Sequence, residues 1–291
     1  MIPGGEVMKY VFLLLFPIAV IAAAGCELSS VDPGGGYASS TTVTMPAGDD
    51  EEAINDPTQG GDCDDCPGLE GQGTLVGQVL FDGAAPTPKA KIPVALIKAD
   101  PTICSKGGDI PDESLVVDAA TGGVANVFIY LAKKPKWKFT MPEKSTSIDQ
   151  EFCVFKPHAL IALAGDFQLK NSDQAGHNIK GEPKRNPSFN VNLPAGGSDK
   201  VKLGRAEPEP FQSTCAIHAW MDFWTLVVDH PYATVTNEKG EFRIPDLPAG
   251  DHEFRVWQEK GGMLERKLIV TIKPDQDNKR TLKYSADKFG L

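Results

Sequence analysis

The sequence predicts an all-β protein with β-sandwich architecture, and three observations lead to that class. Short β-rich runs recur from Gly73 to the C-terminus, and Gly, Pro, Asn and Asp turns separate them. No long stripe of apolar residues at helical spacing interrupts the series. Many short strands with regular turns are typical of sandwiches. The predicted strands are Thr74–Phe81, Ser114–Val117, Val124–Leu131, Ala159–Ala164, Phe167–Leu169, Phe189–Leu193, Lys200–Leu203, Trp224–Val228, Phe242–Ile244, Glu253–Val256 and Lys267–Ile272.

Residues 1–25 predict a targeting signal rather than part of the fold. Lys9 precedes a wholly apolar run, 11–24, that ends in small residues before Cys26. This resembles a bacterial lipoprotein signal, in which the cysteine is lipidated after cleavage, although Ala23 stands where that motif usually has Leu. An ordinary cleaved signal and an uncleaved anchor are the alternatives, since a membrane-spanning helix needs roughly 20 apolar residues. All three place the mature protein outside the cytoplasm.

Residues 26–72 predict a disordered acidic tether. Between 27 and 72 there are eleven Asp or Glu and no Lys or Arg, and the Gly, Ser, Thr and Pro content shows no apolar periodicity. The formal net charge of the chain is −10, but the part after residue 72 has 28 Lys or Arg against 27 Asp or Glu. The folded part is therefore close to neutral, which argues against a nucleic-acid-binding protein.

The clearest chemical signal is the segment Cys215-Ala-Ile-His218-Ala-Trp-Met221. His177 lies 38 residues before Cys215, in the stretch Asn-Ser-Asp-Gln-Ala-Gly-His-Asn. A thiolate, two imidazoles and a thioether are the donors of a trigonal copper site with a weak axial Met, a geometry that suits Cu(I) and Cu(II). Three donors within seven residues fit one tight loop, and His177 would come from a neighbouring strand end. Zinc accepts the same nitrogens and thiolate, but a thioether is a poor zinc ligand.

These two segments resemble the copper-binding segments of cupredoxins such as plastocyanin, over roughly 155–229. The resemblance implies a Greek-key β-sandwich that holds one blue (type 1) copper ion, which alternates between Cu(I) and Cu(II). Its ligands would be His177, Cys215, His218 and, axially, Met221. Two residues separate His218 from Met221 where plastocyanin has four, and this departure bears on the distance of the axial ligand.

Neighbouring residues are candidates for supporting roles. In the family, a residue at the position of Asn178 ties the two ligand loops together through a backbone hydrogen bond. Trp220 flanks the loop, and both core packing and electron entry are open as its role. The solvent-side edge of His218 is the expected exit for the electron. His158 and His230 are candidate extra ligands, with a surface or hydrogen-bonded histidine as the alternative.

The last third of the chain resembles carboxypeptidase-regulatory-like sandwiches, which are Ig-like or transthyretin-like in fold. Residues 233–250 show the family's order of strand, Gly turn, Gly-x-Phe-x-Ile strand and Leu-Pro-Ala-Gly corner. The opening strands of that family match 77–83 and 124–131, which precede the metal segment. We therefore predict an inserted domain, with two sequential domains as the alternative. The predicted boundaries are 145–229 for the inserted cupredoxin domain and 73–144 with 230–291 for the discontinuous second sandwich.

The remaining cysteines predict disulfides. With one cysteine lipidated and one at the metal, four remain, and an oxidising compartment favours pairing. Cys63 and Cys66 are so close that they can pair only with each other or with a partner; a redox or metal-capturing pair is the alternative to a local disulfide. Cys104 is then left to pair with Cys153, which closes a loop of about fifty residues.

The donor set predicts one-electron transfer rather than catalysis, because no open position or general base is evident. Only five His are present, two of them already assigned, which is too few for a multicopper oxidase or reductase. The expected partners are redox proteins outside the cytoplasm, with the membrane reached through the N-terminal lipid. The alternative is a non-redox module in which the regulatory-like sandwich recognises a glycan or a protein, and copper is structural or stored.

Overall fold

The computed structural model describes residues 71–143 and 146–291, and β-strands form nearly all of its regular structure. The all-β class predicted from the sequence is confirmed. Over the described ranges no helix is long and apolar enough to cross a membrane. The predicted signal, the lipidation site Cys26 and the Cys63–Cys66 pair lie outside the described residues.

Eighteen strands and four short helices are present in the described part of the chain. The strands are β1 (Gln72–Asp82), β2 (Ala90–Ile92), β3 (Ile110–Pro111), β4 (Phe128–Leu131), β5 (Ser147–Glu151), β6 (Val154–Lys156), β7 (Ala159–Leu163), β8 (Gly165–Lys170), β9 (His177–Gly181), β10 (Phe189–Leu193), β11 (Ser198–Leu203), β12 (Phe211–Thr214), β13 (Asp222–Val228), β14 (Ala233–Val235), β15 (Glu241–Pro248), β16 (Gly250–Gln258), β17 (Gly262–Ile272) and β18 (Asp277–Ser285). The helices are α1 (Pro101–Cys104) and single 3-10 turns at Val94–Leu96, Ser105–Gly107 and Ala286–Phe289.

The first sandwich packs the sheet β15–β1–β18 against the sheet β14–β4–β16–β17. Side chains alternate between the two faces of a strand, so every second residue of β1 reaches the core, as Leu75, Val79 and Phe81 do. Phe254 and Val256 of β16 enter the same core from the opposite sheet. β1 pairs antiparallel with β15 and parallel with β18, which ties the beginning of the described chain to its end.

The second sandwich packs the sheet β10–β9–β12–β13–β7 against the sheet β11–β8–β5–β6. Phe167 and Leu169 of β8 meet Ile179 of β9 and Phe223 of β13 in its core. β12 pairs antiparallel with both β9 and β13, so the start of β9, the end of β12 and the start of β13 lie at the same end of the sheet. The strands of this sandwich all fall between 147 and 228, and on this strand composition we propose the insertion of 145–229 between the two parts of the first sandwich.

Residues 90–111 depart from that division. They lie between β1 and β4 in sequence, yet Ile97, Cys104 and Ile110 are buried in the core of the second sandwich. A disulfide joins Cys104 to Cys153, with their Cα atoms 5.0 Å apart. The predicted range 73–144 therefore contains a segment that packs on the other sandwich, because its apolar side chains and the disulfide hold it there.

Two predicted strands between β1 and β4 need correction. Ser114–Val117 is not a strand, since only Val117 forms an isolated bridge, with Val124. The predicted strand 124–131 begins only at Phe128. The reason lies at Asn126, whose φ of 60° is in the left-handed region and interrupts extended backbone.

Aromatic packing joins the two sandwiches. Trp224 of β13 and Trp257 of β16 have ring centroids 4.6 Å apart, and Phe128 of β4 packs edge-on against Trp257. These rings belong to a third buried cluster that draws on strands of both sandwiches. The chain crosses from β13 to β14 beside this cluster, through the buried His230.

The stability of the fold should depend on pH through His230. Burial lowers the pKa of His230 to about 4, so the folded protein resists protonation that the unfolded chain accepts near pH 6.5. A group with a depressed pKa adds stability above its unfolded pKa and loses it as the pH falls toward the folded value. We expect the parent to lose about 2 kcal/mol of this contribution between pH 7.5 and pH 5.

His230→Asn tests this expectation by urea unfolding at both pH values. The Nδ1 atom of His230 accepts the backbone N–H of Tyr232, and an Asn oxygen can take its place. The variant should show a loss of stability on acidification that is smaller than in the parent by about 2 kcal/mol. An identical loss in the two proteins would contradict the assignment.

Candidate metal centre

The loop Cys215–Met221 is a tight connection between two paired strands. Thr214 at the end of β12 is paired with Asp222 at the start of β13. Inside the loop, the N–H of Cys215 donates to the carbonyl of Met221 at 3.1 Å, and the N–H of Met221 donates to the carbonyl of His218 at 2.9 Å. These bonds curl the loop so that the side chains of Cys215 and His218 turn toward the core.

The loop that precedes His177 is pinned by one amide side chain. Asn171, the residue after β8, donates through Nδ2 to the carbonyls of Ala175, Leu193 and Pro194 at 2.8, 3.2 and 2.9 Å. β9 begins at His177, so the imidazole lies at the start of a strand that is absent from the predicted series.

The structure brings His177, Cys215 and His218 together. A ring nitrogen of each histidine and the sulfur of Cys215 all lie within 4.8 Å of one another. The two Nδ1 atoms are 2.9 Å apart, and the three residues are 1 %, 3 % and 0 % exposed in chain order. Met221 is 1 % exposed and packs in the same core as Cys215. Three of the four predicted ligands thus form one buried donor group, with Met221 at the end of the same loop.

The outer nitrogen of each histidine faces a carboxylate. His177 Nε2 is 2.8 Å from Asp173 Oδ2, and His218 Nε2 is 3.0 Å from Asp100 Oδ2. A neutral imidazole carries one N–H, and a carboxylate partner places it on Nε2. Both Nδ1 atoms then face each other and a sulfur, with hydrogen bonds among the three groups in the metal-free chain. A metal ion would replace the protons that these groups share, so the residues fit a cation with nitrogen and sulfur preference.

The thiol of Cys215 lies in surroundings that favour the thiolate. Burial alone would raise its pKa, but hydrogen bonds from His177, His218 and the backbone lower the pKa of Cys215 to about 5. One of these bonds runs from the backbone N–H of His218 to Sγ at 3.4 Å. Burial alone would lower the pKa of His177, but Asp173 and Cys215 raise it to about 9. Sulfur is therefore available in the anionic form that metals bind.

Asp173 is held as a carboxylate by its surroundings. Its Oδ1 accepts the N–H of Phe152 at 2.6 Å, and its Oδ2 accepts the N–H of Cys153 at 2.8 Å. Burial would raise the pKa of Asp173, but the bond from His177 and these two backbone bonds lower it. Accepting backbone donors in this way stabilises the charged form.

Asn178 joins the two ligand-bearing segments. Its Oδ1 accepts the N–H of Ala216 at 2.7 Å and lies 3.4 Å from Cys215 Sγ. Its Nδ2 donates to Asn190 Oδ1 at 2.7 Å, which anchors it to β10. The neighbouring strands β9 and β12 are paired in this region, so the position next to His177 meets the residue after Cys215.

Trp220 lies in the candidate ligand loop, Cys215–Met221, and ties this loop to the turn between β5 and β6. Its Nε1 donates to the carbonyl of Cys153 at 2.9 Å, and its ring centroid is 5.2 Å from that of His218. The ring therefore covers one side of the His218 imidazole.

His158 and His230 lie outside the donor group. His158 Nε2 is 2.6 Å from Glu259 Oε2, and no described metal-capable group includes this histidine. His230 uses Nδ1 to accept the N–H of Tyr232. The structure therefore gives each of them a hydrogen-bonded role in place of the extra-ligand role considered from sequence.

The predicted electron exit at the His218 edge is wrong. His218 is 0 % exposed, because Asp100 and the segment that carries it cover the edge that was expected to face solvent. Sequence reasoning also assigned no role to Asp173, although its spacing of four residues from His177 was a usable local signal. Asp100 lies 118 residues from His218, and no local pattern pointed to it.

Asn178→Ala should loosen the ligand loop even without metal. The variant loses its acceptor for the Ala216 N–H, and we expect about 2 kcal/mol less stability, from the loss of this bond and of the bond to Asn190. Hydrogen exchange of the metal-free protein should show the Ala216 amide exchanging about tenfold faster or more.

Asn190→Ala is the matched control for this experiment. It removes only the partner of Nδ2 and leaves the acceptor of Ala216 in place. Its Ala216 amide should keep the exchange rate of the parent. Equal acceleration in the two variants would show that Asn178 does not hold the loop through this bond.

No family model matches the chain, and no curated protein sequence matches it significantly. Similar solved structures include a copper-containing nitrite reductase from Thermus scotoductus SA-01, with 16 % identity over 34 % of this chain and 25 % of that one, at a TM-score of 0.26. A purple cupredoxin from Nitrosopumilus maritimus shows 18 % identity over 29 % of this chain and 100 % of its own, at a TM-score of 0.25. Amicyanin from Paracoccus versutus shows 14 % identity over 30 % of this chain and 85 % of its own, at a TM-score of 0.26. The chain thus matches a quarter of the nitrite reductase, and similarities this low are not evidence of activity.

Proposed function

We propose that this chain binds one copper ion through His177, Cys215 and His218, with Met221 as a weak axial ligand, and serves as a one-electron carrier. One observation carries the proposal. Two imidazole rings and one thiol sulfur form a buried group of metal-capable donors, in which the two Nδ1 atoms face each other and both Nε2 atoms pair with carboxylates. When bound, copper would supply a Cu(II)/Cu(I) couple.

The donor chemistry favours copper over the other common metals. Thiolate and thioether suit Cu(I), imidazole suits both oxidation states, and a site with two nitrogens, one sulfur and a weak axial sulfur is acceptable to both. Zinc takes imidazole and thiolate in closed tetrahedral sites but binds thioether poorly, which leaves Met221 without a purpose there. Calcium and magnesium require oxygen donors, and the donor atoms of this group are nitrogen and sulfur.

The protein's own contribution would be to keep the donors in one arrangement. Asp173 and Asp100 orient the imidazoles, Asn178 ties the two ligand segments, and the N–H of His218 stabilises charge on Cys215 Sγ. A site whose donors are already in place needs little movement when the charge of the ion changes. This rigidity supports electron transfer better than substrate chemistry, which needs an open ligand position.

The cellular setting is part of the same proposal. A disulfide between Cys104 and Cys153 is in keeping with an oxidising compartment. Together with the lipoprotein-like signal that ends at Cys26, it supports a protein anchored outside the cytoplasm, with redox proteins of that compartment as partners. The first sandwich would then carry the copper domain on a tether, without an enzymatic role.

Copper titration of the purified chain tests the proposal. The metal-free parent mixed with Cu(II) should bind one equivalent, develop an intense visible sulfur-to-copper charge-transfer band and show reversible one-electron voltammetry. Cys215→Ser should abolish the band, because the thiolate that donates the charge is gone, and should weaken binding by at least about tenfold.

His158→Gln is the control, since it removes a buried histidine that lies outside the donor group. It should keep both the band and the stoichiometry. A colourless, redox-silent copper complex of the parent, or a band that survives Cys215→Ser, would refute copper–thiolate electron transfer. Preferential uptake of zinc in competition would favour a structural role for the metal.

A further inference from the structure

The edge of His218 that faces away from the donor group is closed by a segment from another part of the chain. Residues 94–107 leave the β2 strand, form α1 and end beside the disulfide cysteine Cys104. Ile97 and Cys104 of this segment are buried in the core of the second sandwich. Asp100 reaches His218 Nε2 from this segment at 3.0 Å, while the imidazole itself is fully buried.

We propose that Asp100 is the positioning residue of His218: its carboxylate fixes the N–H on Nε2, so that Nδ1 faces the donor group, and closes the His218 edge to small molecules. The proposal rests on the proposed function for its consequences on copper, but the geometry concerns residues of this chain alone. An imidazole torsion is broad and nearly two-fold, so a partner on the outer nitrogen decides which atoms face inward.

The backbone around Asp100 is built to hold the carboxylate at this place. Asp100 has φ 44° and ψ 49°, a left-handed conformation that Asp tolerates better than most residues. Its carbonyl accepts the N–H groups of Ile103 and Cys104, both at 2.9 Å, and Pro101 begins α1 directly after it. Two residues of this turn are thus tied to Asp100, and one of them is bridged to Cys153.

The disulfide beside Asp100 also connects to the residues that hold His177. Cys153 donates its N–H to Asp173, the carboxylate partner of His177, and accepts Trp220 Nε1 from the ligand loop through its carbonyl. The disulfide from Cys104 therefore joins the support of His218 to the support of His177. The two imidazoles differ in one respect, since Asp173 is buried while the Asp100 side chain is 46 % exposed. Asp100 lies at the rim of the site, so substituting it should disturb the fold less than substituting Asp173.

The consequence for copper follows from charge. A carboxylate bound to Nε2 adds negative charge beside the ligand, and this charge favours the ion of higher charge. Removing the charge should therefore shift the preference toward Cu(I). Removing the side chain altogether should also admit a small ligand to the His218 edge.

The primary test uses the metal-free full chain, so that it does not depend on copper chemistry. Nitrogen-15 NMR of the imidazoles should show a protected N–H on Nε2 of His218 in the parent. In Asp100→Ala that proton should exchange about tenfold faster or more, the factor expected for loss of one hydrogen bond to a charged group. Unchanged exchange in Asp100→Ala would overturn the proposal.

Asp109→Asn is the matched control. Asp109 Oδ1 accepts the N–H of Val94 at 2.7 Å, and the Asn variant removes the charge from this bond, so it weakens the anchoring of the same segment without touching His218. Its His218 proton should retain the protection seen in the parent. Equal loss of protection in Asp109→Asn and Asp100→Ala would show that the segment only covers the site, and would overturn a positioning role.

The Cu(II)-loaded protein supplies the second readout. Asp100→Asn keeps the size of the side chain and an acceptor oxygen but lacks the charge, and its Cu(I) preference should rise about tenfold, equivalent to ~59 mV for a one-electron couple. Added imidazole should change the visible spectrum of Asp100→Ala and leave that of the parent unchanged. An unaltered potential in Asp100→Asn would overturn the electrostatic part. A parent without a copper–thiolate band would refute the proposed function while leaving the NMR test intact.

Discussion

The candidate metal centre depends on the pairing of two imidazoles that are almost wholly buried. A buried polar nitrogen without a partner costs about 1–3 kcal/mol, so each ring must place both of its nitrogens against something suitable. Asp173 and Asp100 take the outer nitrogens, and the inner ones are then directed at each other and at Cys215. The direction of the donors is therefore a property of the folded chain, already established before a metal arrives.

The fold brings these partners together from separate parts of the chain, and one covalent bond links them. Asp173 is held by the N–H groups of Phe152 and Cys153, whose φ values of 55° and 56° turn both donors toward the same carboxylate. Cys153 is bridged to Cys104, four residues beyond Asp100. The disulfide therefore restrains the supports of both histidines relative to each other, in addition to shortening the loops of the unfolded chain.

The sequence predicted the class of the fold and the donors that lie in one loop, because those depend on local spacing. Cys215 and His218 are three residues apart, and the pairing of the flanking strands turns them to one side. Contacts between distant segments could not be predicted from local patterns, and the contact of Asp100 with His218 is the clearest case. β18 was also missed, since charged and polar residues dominate it; it becomes a strand because it pairs in parallel with the buried β1. Strand formation there is set by its neighbour rather than by its own pattern.

The segment that covers His218 shows why the first sandwich matters to a site located in the second. Both ends of residues 90–111 continue into strands of the first sandwich, toward β1 and β4, while the middle is buried in the second core. With its ends already fixed by one sandwich, the segment loses less chain entropy on docking than a free terminus would. The tryptophan contact between β13 and β16 adds a second junction between the same two bodies. The orientation of His218 therefore depends on packing in both sandwiches. Destabilising the first sandwich should displace Asp100 from His218 before it changes the conformation of the ligand loop.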